Sequence, residues 1–231
     1  RRMVRVTGIP KGTLVATVLG FVRGGGLEKI EDLDTTSSAP RDASHRSSDP
    51  RPAKQHFNSQ TVHLYFLTAE GASSFIAYAN KCSILKLHGK HLYARWAHDK
   101  ATAATKEIEL DLQVAEEVKN NGASRVLILS HYMAGKTPIS QALKLKYPHP
   151  IENFTGGFNC NAMKMDLSQF GQIVEVLPMI SPKLSISFQF ADIRSAILVM
   201  NTFNKPNSVL RAKYSLWKAK YARDVTNKPC Y

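Results

Sequence analysis

Cysteines and acids are scarce in this chain, and long apolar runs are missing. The three cysteines, Cys82, Cys160 and Cys230, lie far apart, and none belongs to a C-x-x-C pair. That argues against the usual zinc spacings and a disulfide framework, and points to a reducing, intracellular setting, nuclear or cytoplasmic. The Asn153-Phe-Thr155 sequon has no use there. Acids number 18 against 31 Lys and Arg, leaving a formal charge of +13 and a pI near 9.7. So positive a balance favours an anionic partner, nucleic acid ahead of an acidic membrane. No stretch approaches the roughly 18 apolar residues of a membrane span, so no membrane partner is expected. Arg1-Arg2-Met3-Val4 opens directly in strand-like sequence rather than as a secretion signal, and the chain is expected to be cut from a longer one.

Enzymatic motifs are missing too. Eight histidines are present, but in no H-E-x-x-H arrangement, and G-x-S-x-G does not occur. The nearest approach is residues 126–137, V-L-I-L-S-H-Y-M-A-G-K-T, where an apolar run meets Gly135-Lys136-Thr137. A phosphate loop needs a further glycine five residues before Gly135, so that backbone N–H groups can fold around phosphates. That position is Ser130, and no later strand ends convincingly in the Asp that magnesium requires. We therefore expect no enzymatic activity, no metal and no small-molecule cofactor.

What is present is room for two modules. The 231 residues are 43% hydrophobic, enough for one large domain or two of about 100 residues. Residues 35–59, T-T-S-S-A-P-R-D-A-S-H-R-S-S-D-P-R-P-A-K-Q-H-F-N-S, are dominated by Ser, Pro, Arg and Asp. They cannot bury enough apolar area to offset their ordering entropy, so a disordered loop is expected. Residues 133–158 carry Pro138, Pro148, Pro150 and Gly156-Gly157, an irregular insertion. Between these stretches, Ile108, Leu112, Ala115 and Val118 recur at helical spacing across 107–120, and Asn120-Asn121-Gly122 supplies a stop. This acidic helix joins two halves.

The halves repeat one another. Each opens with a strand, Met3–Ile9 and Arg125–His131, followed by a helix around 13–22 and 161–170. Leu64-Tyr-Phe66 reaches Ala72 in six residues, and Phe188-Gln-Phe190 reaches Ala196 in six. Ala94-Arg-Trp-Ala-His-Asp99 closes one half as Ala219-Lys-Tyr-Ala-Arg-Asp224 closes the other. The order is βαββαβ twice, an α+β fold of two ferredoxin-like modules, each a four-stranded antiparallel sheet backed by two helices.

With those residues in view, the chain resembles a pair of RNA recognition motifs (RRMs). Leu167-Ser-Gln-Phe-Gly-Gln-Ile173 matches the end of a first helix and the approach to a second strand. His63-Leu-Tyr-Phe-Leu-Thr-Ala-Glu-Gly-Ala72 matches a third strand and the start of a second helix. Gly122-Ala-Ser-Arg125 and Tyr221-Ala-Arg-Asp224 are similar to fungal RNA-binding proteins of the negative-regulator-of-differentiation type. The resemblance implies a first RRM over 1–100, with its β2–β3 loop at 35–59, a helical linker over 101–123, and a second RRM over 124–231 with a basic C-terminal extension. It also implies single-stranded RNA on the sheets, with bases stacked on aromatics of the first and third strands.

The matching positions are Arg5 and Ile128, Thr61 and His63, then Ser185 and Ser187, so the customary Phe or Tyr is absent from all six. The period of two puts Val62, Leu64, Phe66, Leu92, Ala94 and Trp96 in the first core. Arg5, His63, Tyr65, Tyr93 and Arg95 then share the open face, where guanidinium, imidazole and phenol planes can stack on bases. In the second half the face shows Ile128, Ser130, Ser185, Ser187 and Gln189. Charge comes there from Lys218, Lys220 and Arg223, within a 205–228 stretch whose lone acid is Asp224. The expected function is non-enzymatic RNA binding in post-transcriptional regulation of mRNA, through the first face with electrostatic support from the second. The alternative is a degenerate RRM pair serving as a protein-interaction scaffold in a ribonucleoprotein complex, with a protein partner on the second module.

Overall fold

The computed structural model describes residues 1–32, 59–81, 85–97, 109–131, 159–179, 184–215 and 217–231. The expected loop at 35–59 (apart from Ser59), the insertion at 133–158 and the Gly135-Lys136-Thr137 turn lie outside the described residues. Contacts group 1–25, 30–108 and 228–231 into one compact unit, and 26–29 with 109–227 into a second.

The first βαββαβ series runs β1 (Met3–Pro10), α1 (Val15–Leu19), β2 (Leu27–Asp32), β3 (Ser59–Phe66), α2 (Ala69–Lys81), a short ribbon of β4 (Lys86–Leu87) and β5 (Lys90–His91), and β6 (Tyr93–Trp96). The sheet order is β2-β3-β1-β6, with β1 antiparallel to both β3 and β6. Alternation decides the faces: Val4, Val6, Val62, Leu64, Phe66, Leu92 and Ala94 are buried. Helix α2 covers them with Ala72, Phe75 and Ala79, roughly one turn apart. Phe75 lies 5.7 Å from Phe66, centroid to centroid. Each buried Val, Leu or Phe among them contributes about 1.5–3 kcal/mol relative to exposure. Register between β1 and β3 shifts between Val6 and Ile9. Gly8 sits in this bulge at φ +83°, and an added Cβ would come within 2.7 Å of the His91 carbonyl oxygen.

The second series runs β7 (Val126–His131), α4 (Cys160–Ser168), β8 (Ile173–Met179), β9 (Ser185–Phe190), α5 (Ile193–Asn204), a short α6 (Val209–Lys213) and β10 (Trp217–Tyr221), preceded by α3 (Leu112–Asn121). Its order, β10-β7-β9-β8, repeats the first: fourth, first, third, second strand. All three pairings are antiparallel. Strand β7 is therefore not the parallel strand from which a phosphate loop departs. Leu127, Leu129, Ile186, Phe188 and Phe190 meet Met163, Leu167, Ala196, Val199 and Phe203 in one core. Side chains of Asn159, Asp192 and Ser208 cap the N-termini of α4, α5 and α6.

The linker helix departs from expectation. Asp111 accepts from the Gln113 N–H at 2.9 Å and caps it, so the helix starts at Leu112. Leu112, expected on the apolar stripe, is 81% exposed, and Val114 is the buried residue. Gly122 ends the helix in the left-handed region, φ 65°, as the Asn-Asn-Gly stop predicts. Helices α1 and α4 are shorter than the 13–22 and 161–170 expected.

Candidate nucleic-acid interface

Strand pairing brings the five expected first-module residues onto one face. Arg5 lies opposite His63 on β3 and opposite Arg95 on β6, so these three form a row across the sheet. One step along β1, Thr7 lies opposite Tyr93; one step the other way, Met3 lies opposite Tyr65. Directly opposed residues point to the same side, which is the side away from Val4, Val6 and Leu64. Arg5, Tyr93 and Arg95 are exposed, Tyr93 at 53%, and His63 and Tyr65 are half-buried.

The face also holds a residue that the sequence reading missed. The Tyr65 hydroxyl donates to Glu31 Oε2 at 2.7 Å. This fixes the phenol and sets a carboxylate beside it. The signal was in β2, where Lys29 and Glu31 flank the buried Ile30. Arg2, adjacent in sequence to the face, is used structurally: its guanidinium donates to the Phe66 carbonyl at 2.6 Å.

The second sheet is arranged differently. Lys218 lies opposite Ser130 and Lys220 opposite Ile128, so both lysines share the face with those residues, and both are exposed. Ser185, Ser187 and Gln189 point to that face as expected, but they are not open: their exposures are 6%, 8% and 1%. Small serines on the third strand sit low between Ser130 and Ile128 on one flank and Leu177 and Met179 on the other. Gln189 is tied down by its amide, which donates to Glu175 at 2.9 Å. Leu177 and Met179 are exposed instead.

Not all of the basic 205–228 stretch is available. Lys213 pairs with Asp166 at 2.6 Å, and Arg211 donates to the Trp217 carbonyl at 3.4 Å. The lone acid, Asp224, does not neutralise its neighbours, because it is buried against Arg125 at 2.8 Å. Burial pulls the Arg125 guanidinium below its ordinary range, while Asp224 opposes the shift. Arg125 also donates to the Phe190 carbonyl at 2.6 Å. Exposed Arg223 stands beside this pair. Among the described residues, no cluster of His, Cys, Asp and Glu is suited to a metal ion, and no helix is long and apolar enough to cross a membrane.

Two βαββαβ units with the same strand order give this chain a tandem RRM fold. No protein-family model matches the chain. It is 31% identical over 232 residues to Sporulation-specific protein 2 of Saccharomyces cerevisiae, covering 99% of this chain and 55% of that protein. The chain thus spans about half the length of the curated relative it matches. Three solved structures also align. The Sxl-lethal protein/RNA complex has 9% identity and TM-score 0.28, over 96% of this chain and 99% of that one. The C. elegans NONO-1 homodimer has 12% and 0.26, over 95% and 61%. The three N-terminal RNA-binding domains of a yeast splicing factor have 10% and 0.25, over 95% and 98%. Superpositions this loose add nothing to the topology seen in each module.

Proposed function

We propose that this protein binds single-stranded RNA across the sheet face of its first RRM, residues 1–100, without catalysing a reaction. The observation that carries the reading is the Arg5–His63–Arg95 row with Tyr65 and Tyr93 beside it. Planar side chains on a flat, cationic surface provide stacking and phosphate attraction together, in place of the absent phenylalanines. Each base stack is worth about 1–3 kcal/mol. The second RRM, residues 124–231, joined through a linker over 101–123, adds electrostatic grip through Lys218, Lys220 and Arg223. Post-transcriptional control of mRNA, in the nucleus or the cytoplasm, is the role such binding serves.

Ultraviolet crosslinking to a mixed RNA pool, followed by peptide mass spectrometry, tests this. Crosslinks are expected in β1, β3 and β6. Crosslinks confined to 205–228, or none at all, overturn the sheet-face reading.

A second reading has its own support. Leu177 and Met179 are exposed on the same face as Ile128, giving the second sheet an apolar rim suited to a protein partner. A partner that stays bound after complete RNA digestion, and is lost on Leu177→Asp, favours this scaffold role. Loss of every partner on digestion contradicts it.

A further inference from the structure

The second sheet ends in two unlike edges, β10 and β8. Strand β8 is blunted: Pro178 stands in it, and its register with β9 shifts between Ile173 and Glu175. Strand β10 has neither a proline nor a bulge. Where its backbone groups point follows from β7. The Phe190 N–H donates to the Arg125 carbonyl and the His131 N–H to the Leu184 carbonyl, so the odd positions of 125–131 bond toward β9. Ile128 and Ser130 therefore bond toward β10, to Lys220 and Lys218 opposite them, just as the Ala222 N–H donates to the Val126 carbonyl. The N–H and C=O groups of Ala219 and Tyr221 then point off the sheet. Those of Trp217 are occupied locally, by the Tyr214 carbonyl and the Arg211 guanidinium.

A cleft lies beside that edge, between α3, α5 and the end of β10, lined by Glu117, Asn121, Asn201, Asn204 and Tyr221. Two of its groups are poorly served. The Tyr221 hydroxyl is buried and has no hydrogen-bond partner among the described residues. Burial first, and then the nearby Glu117 charge, push its pKa up to about 12, so it stays protonated. Glu117 accepts from the Asn121 amide at 2.8 Å, and among the described residues no Lys or Arg pairs with it. The local charge is also of one sign: 109–117 holds Glu109, Asp111, Glu116 and Glu117 and no Lys or Arg, in a chain of formal charge +13. On the other side of β10, Lys218 and Lys220 stand exposed on the sheet face.

From this we infer that β10 takes an extended peptide of a partner protein as an added strand, one that alternates acidic residues with arginine. Its backbone pairs with Ala219 and Tyr221. Acidic side chains on one side of the peptide meet Lys218 and Lys220. An arginine on the other side enters the cleft, where the Glu117 carboxylate, the Asn201 and Asn204 amide oxygens and the Tyr221 hydroxyl can accept from a guanidinium. The same lysines bar a second copy of the chain, because two β10 edges laid together would set like charges side by side. The edge lies across the sheet from Leu177 and Met179 of β8, so this contact is separate from the apolar rim, and it makes no use of the first module.

The test is fluorescence anisotropy of the whole chain with a labelled synthetic peptide of about eight residues that alternates Glu and Arg. This peptide has no net charge, so the +13 of the chain does not by itself attract it. Two controls have the same composition: one with its Glu and Arg in separate blocks, and an alternating one N-methylated at every amide. The alternating peptide should bind, and both controls should bind at least about tenfold more weakly, one for want of side-chain match and the other of strand pairing. Glu117→Gln and Tyr221→Phe should each weaken the alternating peptide about tenfold, the size of one hydrogen bond to a charged group. Because Tyr221→Phe removes a buried hydroxyl that has no partner, the melting temperature should hold or rise. Equal binding of the alternating and block peptides, no binding of any peptide, or wild-type affinity in both variants overturns the inference. Displacement of the peptide by an oligouridylate assigns the edge to RNA and overturns it as well.

Discussion

At the residue scale, the account depends on side chains whose surroundings leave them different tasks. Tyr93 is the most open plane on the first face, so its loss should be felt in binding rather than in folding. Tyr93→Ala is expected to weaken RNA binding by about 1–3 kcal/mol with little change in stability, which titration calorimetry and thermal melting together can check. Arg125 is the opposite case. It is fully buried, paired with Asp224 and bonded to the Phe190 carbonyl. Arg125→Ala leaves a buried carboxylate unpaired and should cost about 3–5 kcal/mol in urea unfolding; replacing both partners by apolar residues should recover much of it. The outward set Arg5, His63, Tyr65, Tyr93 and Arg95 was legible because strand alternation is a local signal. The Arg125–Asp224 pair was not, since its members are 99 residues apart and nothing local marks either as buried. Glu31 lay within reach of the same alternation rule, but strand β2 was not read.

At the element scale, repetition exposed the architecture and phase errors limited it. Two series of βαββαβ were readable from the matched strand-to-helix spacings, and each forms a four-stranded sheet as expected. The linker helix was readable as a helix but not in its rotation. Its start is fixed by the Asp111 cap, and Leu112 then falls on the wet side despite its helical spacing. The third strand of the second sheet shows another limit: the burial of Ser185 and Ser187 depends on neighbours from β7 and β8, which their own sequence does not carry. Helix α6 yields a pH prediction. Its Lys213, and Tyr214 just beyond, donate to Asp166 of α4 at 2.6 and 2.5 Å. These bonds hold the Asp166 carboxyl below the usual carboxylate range, the Lys213 bond most strongly. A carboxyl depressed in the fold stabilises it fully above the unfolded value, and that contribution is lost as pH falls through the lower folded value. Asp166→Asn should therefore flatten part of the acid limb of the stability curve below about pH 4, read by denaturant midpoints across a pH series.

At the scale of the whole molecule, the formal charge of +13 is the feature most visible in sequence and least informative about place. It predicts strong salt dependence for any polyanion, whether or not the sheet face takes part. Only the pairing of strands turns a basic composition into a surface with a defined row of planes, and only the structure separates the available cations from Lys213, Arg211 and Arg125, which are engaged elsewhere. The central claim, that RNA lies on the first sheet, is therefore tested best by affinity on a face variant that alters little of the total charge. Fluorescence anisotropy with single-stranded RNA at two salt concentrations should show tight, salt-sensitive binding by the wild type. Arg5→Ala/His63→Ala/Tyr65→Ala should lose at least about 30-fold at both salts, as two or more stacks of about 1–3 kcal/mol each require. Wild-type affinity that survives this triple change, or no binding by the wild type at low salt, contradicts the account.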